Sequence, residues 1–410
     1  HEDILEQADE TDAMFGELYS WYLRNPEYRS RVQKLVQSAF AGKPEDIISQ
    51  SVAKALYGEV SPYSATRLER FAACAFAHFL QYGMKLTERV EYEFKPMDMG
   101  NVMHEALESF AEEVRKRGMK WTELTEQERN EIADRCLDNI VADYGNTVLK
   151  SSARNEYMIE RTRRILRRTV WALQKQLEQG EFQPEGFEVT FGGGRIDRVD
   201  IMEDQNKVYV KVIDYKTGNT SFDLVYLYHG LQLQLMIYLD GALRVEQKKY
   251  PDKEIIPAGV FYYNIKDPMI QEKIDADVEA VSAGLMKELK MNGLVQADPE
   301  LVYRMDSSLG SIPVAFNKDG SFRKNSSVAD RTQFAVLGRY VRTKIEKIRS
   351  SILEGDAEVS PYELGKKNAC TYCPYMTVCG FDRRLSGYEF RRLKNFSDEE
   401  LWKAFDREAE

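Results

Sequence analysis

The chain has 410 residues, of which 43% are hydrophobic and 30% charged, with a net charge of −10 and five cysteines. That length exceeds one ordinary domain, the composition excludes a disordered or collagen-like chain, and no apolar run approaches the ~18 residues of a membrane span. The acidic balance argues against a generally sticky nucleic-acid binder, yet it leaves room for a local basic track or a carboxylate-rich metal site. Cysteine is too sparse for a disulfide scaffold, so a reducing compartment is expected and clustered cysteines read as metal ligands. The opening His1-Glu2-Asp3 lacks an initiator methionine and any signal-peptide pattern, and reads as the start of a piece cut from something longer.

Residues 1–58 read as a helical leader, punctuated at Gly42-Lys43-Pro44, without catalytic pattern and expected to be the tail of an upstream domain. Residues 59–180 are helical in pattern. A start signal at Ser61-Pro62-Tyr63-Ser64 precedes an apolar stripe of Leu68, Phe71, Ala72, Phe76, Phe79 and Leu80. An amphipathic helix from Met97 to Arg117 follows, and a long helical region spans Glu126 to Gln179. The latter carries the densest basic run, Arg161, Arg163, Arg164, Arg167 and Arg168. That run has two readings: DNA phosphate contacts centred on Arg161, Arg164 and Arg168, or a solvated face paired with Glu156 and Glu160. Arg383, Arg384, Arg391 and Arg392 form a second basic group with the same two readings.

Across residues 181–270 the period changes from helix to strand. Phe187–Phe191, Arg195–Ile201 and Val208–Asp214 alternate as strands do; a helix is predicted from about Phe222 to Leu243, then a strand at Ala258–Asn264. Residues 271–354 read as helices and loops, and 355–410 as a cysteine-bearing arm. The pattern predicts a mixed α/β core wrapped by helices.

The most informative stretch runs from Gly194-Arg-Ile-Asp197-Arg-Val-Asp200 to Val212-Ile-Asp214-Tyr215-Lys216. If Gln205 and Asn206 form a two-residue hairpin loop, Asp197 falls directly opposite Asp214. Two carboxylates so placed repel one another, and a hard divalent cation such as Mg²⁺ or Mn²⁺ removes that cost. Val208, Val210, Val212, Asp214 and Lys216 share one strand face, so the amine sits beside the acid pair. Metal plus ammonium is what phosphodiester hydrolysis requires. Gln234 and Tyr238 share a helix face, and His104 offers an imidazole from an upstream helix. His78 and His229 read as structural.

These motifs resemble the RecB-like branch of the PD-(D/E)XK nuclease superfamily, which combines an upstream helix histidine, a Gly-x-x-Asp strand, an Asp-x-Lys strand and a Gln-x-x-x-Tyr helix. The resemblance implies a restriction-endonuclease-like fold, with His104, Asp197, Asp214 and the Tyr215 carbonyl as metal ligands. Lys216 takes the catalytic lysine's place, and Gln234 and Tyr238 stand on the DNA side.

Cys370-Thr-Tyr-Cys373 and Cys379 form a tight triplet that leaves a four-ligand site one short. Cys74 and Cys136 are the remaining candidates; Cys136 reads as a buried apolar residue in an ordinary helix. With Cys74 the arrangement is similar to the iron-staple nucleases, in which a 4Fe–4S cluster ties the two ends of the nuclease domain together; zinc is the competing metal. Closing so long a loop would contribute on the order of 5–6 kcal/mol in the chain-entropy picture. The segments Ser64–Leu86 and Gly355–Tyr362 are similar to the cysteine arms of AddB-type subunits of bacterial helicase–nucleases, with Ala75 where proline is common. That resemblance implies cytoplasmic DNA end resection for recombinational repair, DNA as substrate and an AddA-type motor subunit as partner. The sequence has no phosphate-binding Gly-x-x-x-x-Gly-Lys loop; Gly145–Lys150 has the lysine spacing without the second glycine. A standalone RecB-like exonuclease and a catalytically silent iron–sulfur scaffold are the competing expectations.

Overall fold

The computed structural model describes residues 2–39, 47–58, 64–87, 96–143, 152–192, 194–270, 277–385 and 387–409. The predicted punctuation at Gly42–Pro44, most of the start signal at Ser61–Ser64, and Gly145–Lys150 lie outside these residues. The chain begins with helices α1 (Glu2–Arg24), α2 (Pro26–Ala39) and α3 (Gln50–Tyr57). Helix α4 (Ala65–Ala73) is capped by the Ser64 hydroxyl and ends at Cys74, followed by the short α5 (Ala75–His78). Then come α6 (Pro96–Lys116), α7 (Glu126–Asp143) and α8 (Ala153–Glu178).

Strands β1 (Gln183–Phe191), β2 (Gly194–Asp204) and β3 (Lys207–Lys216) form an antiparallel meander. A crossover through α9 (Leu224–Tyr228) and α10 (Gln234–Lys249) then lays β4 (Glu254–Asn264) parallel to β3. After α11 (Val278–Glu288), β5 (Asn292–Gln296) pairs antiparallel with β4. Helix α12 (Pro299–Met305) leads to β6 (Val328–Ala329), which completes a six-stranded mixed sheet in the order β1-β2-β3-β4-β5-β6. Long α13 (Arg331–Glu354) precedes a small sheet of β7 (Tyr362–Leu364), β8 (Lys367–Asn368) and β9 (Arg391–Arg392). Helix α14 (Met376–Cys379) lies between β8 and β9, and α15 (Asp398–Ala409) closes the chain. Among the described residues no helix is long and apolar enough to cross a membrane.

Two corrections to the sequence reading concern this region. The single helix expected over Phe222–Leu243 is broken: α9 ends at Tyr228 and α10 starts at Gln234. Gly230 between them has φ +77°, a conformation that glycine adopts without strain and that ends a helix. The region 271–354, expected to hold helices and loops only, contributes β5 and β6 to the sheet. Both are too short to show a period.

The sheet is buried on both faces, which explains its apolar content. Val208, Val210 and Val212 pack with α4, α10, α13 and α15 through Leu68, Leu235, Leu337 and Phe405. The other face, with Ile213 and Tyr215, meets α6, α7 and α8 through Phe110, Leu137 and Leu173. Cys136 belongs to this second core, as an apolar filler should. Buried on the same side is an ionic group: Asp200 accepts from Arg198 Nε and Nη2 at 2.5 and 2.9 Å, and Lys211 Nζ lies 3.0 Å away. Burial alone would raise the Asp200 pKa, but the two cations hold it below the ordinary carboxylate range.

Removing Asp200 takes the direct ion-pair partner from two buried cations. Asp200→Ala is expected to lose about 3–5 kcal/mol in denaturant melts. A loss under about 1 kcal/mol, the scale of a surface pair, would show that these charges are not interdependent.

Candidate active site

The site is built by strand register. The β2–β3 ladder pairs Asp204 with Lys207 and runs to Arg198 with Ile213, around the two-residue turn Gln205-Asn206. Asp197 and Asp214 are the next residues along, facing one another, as the hairpin arithmetic requires. The β1–β2 ladder pairs Phe187 with Arg198 and Val189 with Ile196. Glu188 therefore stands opposite Asp197 on the other side. Three acids lie side by side on adjacent strands, and both aspartates are buried, Asp214 to 1% exposure.

Glu188 did not emerge from the sequence. Its backbone has φ +49°, a left-handed conformation that costs a non-glycine residue on the order of 1–3 kcal/mol. The register of its hairpin could have found it, because Phe191 pairs with Gly194 around a glycine-rich turn.

His104 reaches the acids from α6. Its Nδ1 lies 3.4 Å from Asp197 Oδ2 and 3.8 Å from Glu188 Oε1. His104, Glu188 and Asp197 each offer a ligand atom within 4.8 Å of the others, a grouping suited to one metal ion. Gly100, one turn earlier, allows the close approach: a Cβ there would sit 3.4 Å from Thr217 Oγ1 at the end of β3. On the far side of Glu188, Arg195 forms an ion pair with its other oxygen.

The Lys216 ammonium lies 2.5 Å from Asp214 Oδ2 and donates to Gln234 Oε1 at 2.8 Å. Gln234 Nε2 in turn donates to the Tyr238 hydroxyl at 2.9 Å. The Tyr215 N–H donates to Asp197 Oδ2 at 2.7 Å, while its ring is buried in the opposite core. The structure thus brings His104, Asp197, Asp214, Lys216, Gln234 and Tyr238 to one place and adds Glu188. Asp214 is engaged by Lys216 and stands outside the three-residue grouping around His104.

The electrostatics show an excess of negative charge. Burial and the neighbouring Asp214 push the Asp197 carboxyl up to about 7. Asp214 is raised by burial too, opposed by Lys216. Burial alone would lower the His104 pKa, but Glu188, Asp197 and Asp214 raise it on balance. Desolvated carboxylates with raised pKa values gathered beside an imidazole are what a divalent cation would relieve.

Cys74, Cys370, Cys373 and Cys379 line one small cavity with Phe76, Pro361 and Tyr375, and none of the four is in a disulfide. Burial, together with the other three thiols, pushes Cys370 up to about 12. Four thiols crowded into an apolar pocket match the donor set of a sulfur-ligated metal group.

The basic run on α8 is largely paired. Arg163 meets Asp138 at 2.7 Å, Arg167 bonds Asp134, and Arg164 meets Asp267 at 2.6 Å. Arg161 is exposed, and the Arg168 guanidinium lies over Trp171 at 5.6 Å. Arg164 and Arg168 line a groove between α8 and α11. His78 is fully buried, accepts from Arg67 at 3.2 Å, and is lowered by burial to about 3. His229 bonds the Lys394 carbonyl at 2.8 Å. Both have the structural surroundings that the sequence suggested.

A mixed sheet whose central hairpin ends in facing acids, with the lysine two residues on, defines a nuclease scaffold. The sequence profile of the PD-(D/E)XK nuclease superfamily matches residues 62–380, and the chain belongs to that superfamily. Over 98% of its length it is 41% identical to an ATP-dependent helicase/deoxyribonuclease subunit of Lachnoclostridium phytofermentans, covering 36% of that protein. Identity is 34% to the protein of the same name in Thermoanaerobacter sp. and 33% in Clostridium acetobutylicum, over 98% and 97% of the chain and 37% and 36% of those proteins. The chain thus spans little more than a third of these relatives, and the resemblance to AddB-type subunits extends over nearly all of it.

The raised Asp197 pKa makes a signed prediction. A carboxyl that binds its proton more tightly when folded supports stability at low pH, and that support fades between about pH 4 and pH 7. Metal-free protein should therefore lose melting temperature across that interval, and Mn²⁺ should raise it more at pH 8 than at pH 5. Asp197→Asn should melt higher than the parent at pH 8 without metal and respond weakly to Mn²⁺. Calorimetric scans with and without EDTA check this; an equal Mn²⁺ response in the variant would remove Asp197 from the metal site.

Proposed function

We propose that this chain is the nuclease part of an AddB-type helicase–nuclease subunit. It would hydrolyse phosphodiester bonds at DNA ends, on strands delivered by an AddA-type motor subunit, during recombinational break repair in the bacterial cytoplasm. The observation that carries the reading is the row of Glu188, Asp197 and Asp214 across three strands, with His104 above it and Lys216 at its side. The relatives' description as helicase/deoxyribonuclease subunits supports DNA as the substrate.

His104, Glu188 and Asp197 would hold Mg²⁺ or Mn²⁺, with Asp214 and the Tyr215 carbonyl as further oxygen ligands. When bound, the ion polarises the phosphoryl group and makes water a better nucleophile. Lys216 uses two of its three N–H donors on Asp214 and Gln234, and the third would serve a reacting phosphate. Gln234 and Tyr238 fix the ammonium through a two-bond relay, so its charge is in place before the transition state forms. Arg161, Arg164 and Arg168 would steer the strand through phosphate contacts that carry no sequence information.

Cys74, Cys370, Cys373 and Cys379 would hold a 4Fe–4S cluster, joining the end of α4 to the C-terminal arm. Freshly isolated protein should be brown with about four irons per chain. A colourless protein with one zinc would replace the cluster by a zinc site.

Asp214→Ala and Lys216→Ala should each lower Mg²⁺-dependent cutting of labelled single-stranded DNA by about 100-fold or more. Circular dichroism and colour should stay unchanged. Full activity in either variant, or cutting that survives EDTA in the parent protein, would overturn the assignment.

A further inference from the structure

Helix α10 presents Gln234 and Tyr238 to Lys216, yet it supplies no cap of its own. Leu233 occupies the N-cap position and makes no side-chain capping bond. The N–H groups of Leu233 and Gln234 instead donate to Oε1 of Glu69, at 2.7 and 2.9 Å. Glu69 belongs to α4, the helix that ends at Cys74.

Three further contacts hold α4 in register with this turn. A Cβ on Gly230 would lie 3.2 Å from the Ala72 Cβ, so the loop before α10 is seated directly on α4. Arg391 donates to the Ala72 carbonyl, and the Phe76 N–H donates to the Glu358 carbonyl at 3.0 Å. The C-terminal arm thereby grips the chain on either side of Cys74, at the end of α4 and in α5.

We infer that Glu69 is a positioning residue: its carboxylate pins the first turn of α10, and with it Gln234 and the Lys216 ammonium, to the helix that carries the first cysteine arm. A carboxylate suits the positive end of a helix, and a charged acceptor strengthens both bonds. The fold keeps it there against desolvation, which pushes its pKa up to about 7 although both N–H donors and Lys216 oppose the rise. The consequence is a mechanical path from the cysteine cavity to the catalytic lysine. Its catalytic meaning rests on the nuclease reading above; the Glu69 contacts do not.

The test uses the full chain with Glu69→Ala, Glu69→Asp and Glu69→Gln. Hydrogen–deuterium exchange of the segment 231–238 is read alongside kcat and KM for a labelled single-stranded oligonucleotide with Mg²⁺. Losing two charge-assisted bonds should speed exchange in Glu69→Ala by about tenfold or more. We expect kcat to fall by a similar factor, KM to stay within about twofold, and the metal content of the cysteine site to match the parent's. Aspartate, too short to reach both N–H groups, should show part of each effect. Glutamine, whose carbonyl oxygen still accepts, should stay within about threefold of the parent. Stripping metal from the cysteines of the parent with a chelator should speed exchange in the same segment.

Unchanged exchange in Glu69→Ala overturns the inference, and if that variant does not fold, unchanged exchange in Glu69→Asp does so. A loss in Glu69→Gln as large as in Glu69→Ala overturns the hydrogen-bonding role. If the parent cuts no DNA, the nuclease reading fails while the exchange results still decide the role of Glu69.

Discussion

Three carboxylates held side by side where a sheet runs out of water set the terms for everything around them. Hydrophobic burial drives β1, β2 and β3 together, and that same burial strips solvent from Asp197 and Asp214. Like charges so placed destabilise a ladder unless each finds a partner. The structure gives each acid its own set: Arg195 for Glu188, the Tyr215 N–H for Asp197 and Lys216 for Asp214, with His104 shared between the first two. Burial and the neighbouring Asp214 raise the Asp197 pKa, and this acid lies on the side where His104 stands. A site tuned this way is incomplete by construction of its charges, and a small hard cation is the group that completes it.

The two faces of the hairpin solve the problem of buried charge in opposite ways. On the α6–α8 side, Asp200 pairs with both Arg198 and Lys211, Asp306 acts on Lys211 as a second acid, and aromatic rings flank the group; Arg198 lies 5.7 Å from both Trp121 and Phe187. On the α10 side the acids outnumber the cations, so the face that fails to balance itself is the one with chemistry to do. The parallel crossover from β3 to β4 makes this possible. It returns the chain over that face through α9 and α10, placing Gln234 against Lys216 and Tyr238, one turn on, against Gln234.

Much of this was legible because strand geometry is arithmetic. A polar two-residue turn at Gln205-Asn206 fixes the register, register fixes the partner of Asp197, and alternation places Lys216 on the same face. The same counting from the turn before Gly194 would have exposed Glu188, but its left-handed backbone breaks the pattern a strand normally follows. The helix predicted through Phe222–Leu243 failed because periodicity cannot register one residue with positive φ, and Gly230 takes that conformation where α4 comes close. The arginines of α8 left two readings open in the sequence because most of their partners, Asp134, Asp138 and Asp267, come from other segments. Glu69 was invisible for the same reason: a helix cap supplied from another part of the chain leaves no mark in local sequence.

Long-range closure is the remaining step. The face with α10 is covered by elements from both ends of the superfamily match, α4 from the front and α13 from the back, while α15 packs on α13 beyond it. Tyr228, at the end of α9, stacks on Tyr340 at 5.4 Å and meets Phe396 and Phe405 edge-on, so the approach to α10 is itself sealed by late-coming chain. Contacts of such separation are entropically expensive to form, and the loop they close grows only slowly more costly with length. The proposed metal cross-link through Cys74 and the Cys370–Cys379 loop would reduce that expense at its largest, by shrinking the unfolded ensemble rather than by adding contacts to the folded one. It also sits at one end of α4, whose other contacts reach the first turn of α10. In the proposed reading, a staple placed there would stabilise the domain while acting, geometrically, on the helix whose Glu69 caps α10.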